Sequence, residues 1–292
     1  MKYALLIHIL HWKYDKPEFV INDYISYVEL SRHSINTLYN SLCEETGLDD
    51  GQPYDFSSAL ILTDNDENGM FPTSKSQSIS STFMNLLTII HRGTIGYCRI
   101  ISSLDDFKTS THTFELYDEH SIGIFDHLGA DDPKLDQNNL HLLQKIFTNL
   151  KAKATSKVKH SRIDNALDYF YLAWNVHTLE QTAIGLSIVI ETLFAPHSNA
   201  EISHQVSFNV AKFSAETKKA RNEIYKMIKR YYSIRSKIVH GDIINADEYN
   251  SIPDLFKFVS SILLKILKDK DLIILFNDNK LRRQYFDSLL FE

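Results

Sequence analysis

The stretch from Leu179 to Phe194 is apolar nearly all round, with Ile184, Leu186, Ile188, Val189, Ile190 and Leu193 leaving no broad polar face. A helix of that kind must be enclosed by other elements. Pro196 lies just beyond, where a ring without an N–H ends the run. The neighbouring segments carry the helices that could enclose it. Ile163, Ala166, Leu167, Phe170 and Ala173 recur at helical spacing, and a further helix is expected over about Ile202 to Phe213. About Thr217 to Val239 is amphipathic and rich in Lys and Arg, with Gly241 placed as a C-cap. Pro253 suits the first turn of a helix reaching about Lys270, and the tail from Leu272 to Glu292 reads as helical from Asn279 on. A helix over about Leu135 to Lys151 shows Leu140, Leu143, Phe147 and Leu150 on one face. Residues 135–292 therefore read as an all-α domain.

The first 134 residues read differently. Met1 to Trp12 has a short apolar run with two histidines and no small-residue cleavage site, which predicts a strand in place of a signal peptide. Residues 20–46 show a loosely helical spacing, Ala59-Leu60-Ile61-Leu62 reads as a buried strand, and Ser78 to Ile101 fits helix or strand. The turn at Leu48–Pro53, the acidic loop at Thr63–Gly69 and short segments at 113–117 and 122–125 complete an α+β domain. The fold class expected is mainly α, a helical bundle preceded by an α+β N-terminal domain.

Charge separates the same halves. Residues 1–150 hold 10 Lys+Arg against 21 Asp+Glu, a net −11, and residues 151–292 hold 21 against 16, a net +5. The basic half is the candidate polyanion binder, and the acidic half a candidate docking surface for a basic or regulatory partner. The basic run from Lys151 to Arg162 reads as a solvated connection. Cys43 and Cys98 exclude a disulfide scaffold and fit a reducing cytosol. No apolar run approaches the roughly 18–20 residues of a membrane span, so a cytoplasmic protein without membrane contact is expected. His8, His11, His112, His120 and His127 lack ligand spacing, and neither a P-loop nor a G-x-G-x-x-G is present, so no metal or cofactor is expected.

The chemistry-bearing feature is Arg235-Ser236-Lys237-Ile238-Val239-His240-Gly241 at the end of the basic helix. A guanidinium grips phosphate oxygens with a planar fork, and an imidazole transfers protons near neutral pH. His240 at a helix C-terminus meets the negative end of the macrodipole, which favours its cation. The two residues depart about 140° apart round an ideal helix, so the arginine must curl, the last turn unwind, or two chains share the site. Glu191, in an apolar helix, needs a partner, and Arg221 and Arg235 are the candidates. Lys226, Lys229, Arg230 and Lys237 could hold an RNA backbone or form a solvated face. Tyr231 and Tyr232 could stack on bases or pack internally.

Three pieces in order, Arg162 to Phe170, Ile188 to Phe194 with its embedded Glu191, and Arg221 to Gly241, make about residues 160–270 resemble the HEPN superfamily, in particular its ApeA-like group. The resemblance implies a metal-independent endoribonuclease acting as a homodimer in anti-phage defence or a toxin–antitoxin system. Two R-x4-H motifs would meet between subunits, and the ribose 2′-OH would attack the adjacent phosphate, leaving a 2′,3′-cyclic phosphate. Arg235 and His240 would be catalytic, with Ser236, Glu191 and Tyr232 in support. Ser236 stands where many members place Asn, Asp or His, and it can donate a hydrogen bond but cannot serve as a charged base. The alternative is a non-catalytic HEPN module that dimerises and binds nucleic acid or a partner.

Overall fold

In this computed structural model the described residues are 2–9, 18–22, 25–29, 58–63, part of 82–90, 95–99, 115–116, 137–151, 161–195 and 202–289. They fall into two compact units. The first holds strands β1 (Lys2–Ile9), β2 (Glu18–Asn22), β3 (Ile25–Glu29), β4 (Ser58–Thr63), β5 (Ile95–Arg99) and β6 (Glu115–Leu116), with most of helix α1 (Gln137–Lys151). The strands form one antiparallel sheet in the order β2-β3-β4-β1-β5-β6, with Leu5 opposite both Leu60 and Arg99. Leu86 and Ile89 are buried among helical residues of 82–90, which resolves part of the ambiguous stretch.

The helical expectation over 20–46 is corrected at its start, where β2 and β3 pair with each other. Val20, Ile25, Tyr27 and Val28 are residue types enriched in strands, and pairing of β3 with β4 outweighs the loose helical spacing. Residues 30–46 lie outside the described residues, as do the turn at 48–53, the segment 122–125 and most of the loop and linker readings. The boundary expected at 134/135 precedes α1, whose Gln144 Nε2 donates to the Val20 carbonyl of β2. Leu140, Leu143 and Phe147 are buried on α1 as its spacing requires.

Residues 137–288 are helical throughout their described elements, with no strand among them. The second unit, from Asn149 onward, contains α2 (Arg162–Trp174), α3 (Leu179–Phe194), α4 (Ile202–Ser214), α5 (Lys218–His240), α6 (Ala246–Asn250), α7 (Ile252–Leu267), α8 (Lys270–Asn277) and α9 (Asn279–Ser288). Local chemistry marks the boundaries. Ser161 and Asp164 form a capping box ahead of α2, and Thr178 and Thr217 cap α3 and α5 by accepting from Gln181 N and Ala220 N. Ala195 at the end of α3 is extended (ψ 135°), as the residue before a proline should be.

Two aromatic clusters fill the core. Phe170 and Trp174 of α2 lie 4.8 and 4.9 Å from Phe256 of α7, and Phe194 of α3 meets Phe213, Phe276 and Phe286 at 5.4 to 5.7 Å. Each buried side chain of this size contributes roughly 1.5–3 kcal/mol. Phe276 belongs to α8, a helix that begins at Lys270 where the sequence suggested a tail. The carbonyls at the end of α3 are taken by two arginines and by Asn209, whose Nδ2 donates to Phe194. Arg162 donates to Thr192, and the buried Arg282 donates through Nη1 to Leu193 (3.1 Å) and Ala195 (2.8 Å). Burial, and then the charge of Arg162, push the Arg282 guanidinium down to about 10, so it remains a cation on the negative end of the helix dipole.

Candidate functional site

Helix α5 carries the motif and keeps α-helical geometry through His240. It ends in a Schellman motif: Gly241 takes φ 78°, its N–H donates to Ile238 (3.2 Å), and Asp242 N donates to Lys237 (2.8 Å). Glycine adopts that left-handed conformation without a Cβ penalty. The terminus does not unwind, so Arg235 and His240 stay about 140° apart and roughly 7.5 Å apart along the axis. Asn222, Lys226, Lys229, Ser233, Ser236 and His240 are all exposed and recur at alternating steps of four and three, which makes them one solvent-facing stripe. The imidazole thus sits at the end of a ladder that includes two lysines and two serines. Among the described residues it has no ion pair or hydrogen bond.

Arg235 faces the bundle. Its Nη2 lies 3.8 Å from Glu191 Oε1 of α3, an ion pair too long to be a hydrogen bond, with the side chains 35% and 28% exposed. Of the two candidates for Glu191, Arg235 is the one that meets it, while Arg221 Nε donates to the Ala215 carbonyl (2.8 Å). The Arg235 Nε and the Tyr232 hydroxyl are removed from solvent and have no hydrogen-bond partner among the described residues. Burial, reinforced by the negative charge of Glu191, pushes the Tyr232 phenol well above its ordinary range. Although that carboxylate is close enough to act on Tyr232, the hydroxyl does not reach hydrogen-bonding geometry with it. Arg235, Glu191 and Tyr232 form a polar cluster with donors to spare.

Beyond Gly241 the chain folds back as a strap ending in α6. Asn245 and Glu248 form a capping box, and the Glu248 carboxylate also accepts from Lys237 Nζ at 2.7 and 3.0 Å. Lys237 and the backbone of Asn245 hold that carboxyl below the usual carboxylate range. Arg230 Nη2 donates to the Asp247 carbonyl (2.9 Å), and the Tyr231 hydroxyl donates to Ser251 (2.6 Å), so Tyr231 packs internally. Of the four cations expected to hold RNA, Lys226 and Lys229 point to solvent, Arg230 is exposed but bound to the strap, and Lys237 is ion-paired. The strap escaped the sequence reading, although Asn245-x-x-Glu248 is a legible capping pattern.

A cleft of about 500 Å³ opens between the strap, the end of α5 and the first turn of α3. Ile243, 93% exposed, forms part of its wall. No group of three or more His, Cys, Asp or Glu among the described residues could hold a metal ion. His8 lies in β1, and His11, His112, His120 and His127 fall outside the described residues. No helix among the described residues is long and apolar enough to cross a membrane. No family model, curated protein or solved structure matches the chain.

Proposed function

We propose that this chain is a metal-independent endoribonuclease of HEPN type, working as a homodimer in the cytoplasm within an anti-phage or toxin–antitoxin system. The observation that carries the reading is the division of labour on α5. Among the described residues Arg235 has one loose ion pair and a donor to spare, while His240 ends an exposed stripe containing Lys226 and Lys229. The guanidinium suits the phosphate oxygens on which charge builds, a contribution of about 10²–10³ in rate by analogy with other charge-stabilising donors. Neutral His240 takes the 2′-OH proton as the O2′–P bond forms, and an imidazolium returns a proton to the 5′ oxygen as the P–O5′ bond breaks. Such proton transfer contributes about 10²–10⁴. Because the two side chains leave the helix in different directions, the working site combines two copies of α5. The N-terminal unit restrains, senses or targets the nuclease.

The second reading, a non-catalytic dimerisation and binding module, draws support from Glu191 and Glu248, which already counter Arg235 and Lys237. Labelled RNA incubated with the pure protein in EDTA separates the two. The nuclease reading expects fragments ending in cyclic phosphate, lost in Arg235→Ala and His240→Ala while the dimer persists. Undiminished cleavage by either variant rejects the assignment, and RNA binding without cleavage favours the module.

A further inference from the structure

The cleft at the end of α5 is lined by Glu180 and Asp242, by Asn245 and Asn250, and by the apolar or aromatic surfaces of Ile238 and Tyr249 among others. Its volume of about 500 Å³ falls within the roughly 300–1,000 Å³ of small-molecule sites. No lysine or arginine lines it, so the cleft itself repels phosphate. Neither carboxylate has a side-chain partner among the described residues, and a carboxylate can only accept hydrogen bonds. Gly241 is part of the wall, and His240 is the preceding residue, one peptide step or about 3.8 Å away between Cα atoms. An aromatic ring, apolar walls and unpartnered acceptors are what an unstacked base needs.

We infer that this cleft is a nucleobase pocket that prefers adenine, cytosine and guanine over uracil. The inference rests on the ribonuclease reading and names the substrate feature that reading leaves open. Adenine N6, cytosine N4 and guanine N2 carry amino groups that donate to Glu180 or Asp242, whereas uracil presents a carbonyl oxygen, O4, where cytosine has N4. Tyr249 supplies the stacking face. The phosphate attached to the bound nucleotide stays outside the acidic cleft. The base would therefore select the phosphodiester presented to His240.

The test uses the full-length protein, isotopically labelled, titrated with each of the four nucleosides while the backbone amides of Gly241 and of Asn245 to Asn250 are followed by NMR. Adenosine, cytidine and guanosine are expected to shift these signals, with uridine weaker by roughly tenfold. The double variant Glu180→Gln with Asp242→Asn, and separately Tyr249→Leu, are expected to weaken binding by a similar factor. Silence from all four nucleosides, equal binding of uridine, or undiminished binding by both variants overturns the pocket. A parallel RNA digest with mapped ends keeps the two ideas apart. Discriminating nucleoside binding without any cleavage rejects the nuclease and leaves the pocket, and indiscriminate cleavage with silent amides does the reverse.

Discussion

Replacing Gly185 by alanine should destabilise the helical bundle, although helix propensity alone says the opposite. Gly185 faces α2 from the middle of α3, and a Cβ built on it would lie 2.7 Å from Ala173 Cβ and 3.1 Å from Ala173 Cα. Carbon atoms in contact prefer about 3.5–4.0 Å, so α2 and α3 would have to part by roughly 1 Å. Alanine in place of glycine contributes about 1 kcal/mol in a helix interior. Overpacking costs about 1–3 kcal/mol, and parting the helices weakens the 3.0 Å hydrogen bond from Thr182 Oγ1 to the Ala173 carbonyl, worth about 1 kcal/mol. The balance is a loss of about 1–3 kcal/mol. Urea unfolding in a Trp12→Phe background leaves Trp174 as the reporter; it is buried and packs 4.9 Å from Phe256. With a slope of about 2 kcal/mol per molar, the midpoint should fall by about 0.5–1.5 M. Adding Ala173→Gly removes the first clash and should restore part of the loss. A midpoint for Gly185→Ala at or above the parent's would refute the close approach of α2 and α3.

Other consequences concern single side chains. Because folding raises the Tyr232 phenol, the folded state keeps a proton that the unfolded chain releases near pH 10, so stability is present below that pH and is lost as pH rises above it. Tyr232→Phe should flatten the alkaline limb of the melting temperature against pH, and near neutrality it should change stability by under about 1 kcal/mol, since the hydroxyl it removes is unpartnered. For Glu248 the sign reverses: its carboxyl is lowered, so its contribution is present above the ordinary carboxylate range and fades as pH falls. Glu248→Gln should flatten the acid limb and speed hydrogen exchange across the strap. Arg282→Met removes two charge-assisted bonds of about 1.5–3 kcal/mol each while relieving the burial of a cation, for an expected net loss of about 2–4 kcal/mol by chemical denaturation.

Much of the bundle was legible in the chain because its signals are local. The span from Leu179 to Phe194 coincides with α3, since an apolar surface on all sides, a threonine cap and a following proline act within a few residues of one another. The Gly241 cap was readable for the same reason. Strand β3 was not, because what decides between strand and helix there is pairing with β4, whose partner residues lie 29 to 37 positions away along the chain, and β2 in turn pairs with β3. The helix at Lys270–Asn277 was missed although Asp269 marks its start, since only the core explains why Phe276 is buried.

The candidate site divides along the same line. The sequence alone determined that Arg235 and His240 ride one capped helix, and the period of that helix determined that they point in different directions. Only the tertiary structure decided that Glu191 meets Arg235 and not Arg221, that Lys237 is engaged by Glu248, and that a cleft opens beside His240. Helical period and capping act over a turn or two of chain, so residue order carries them. Partner choice between α3 and α5, and the close approach of α2 to α3 at Gly185, depend on where packed surfaces bring distant residues together, and no short stretch of sequence encodes that distance.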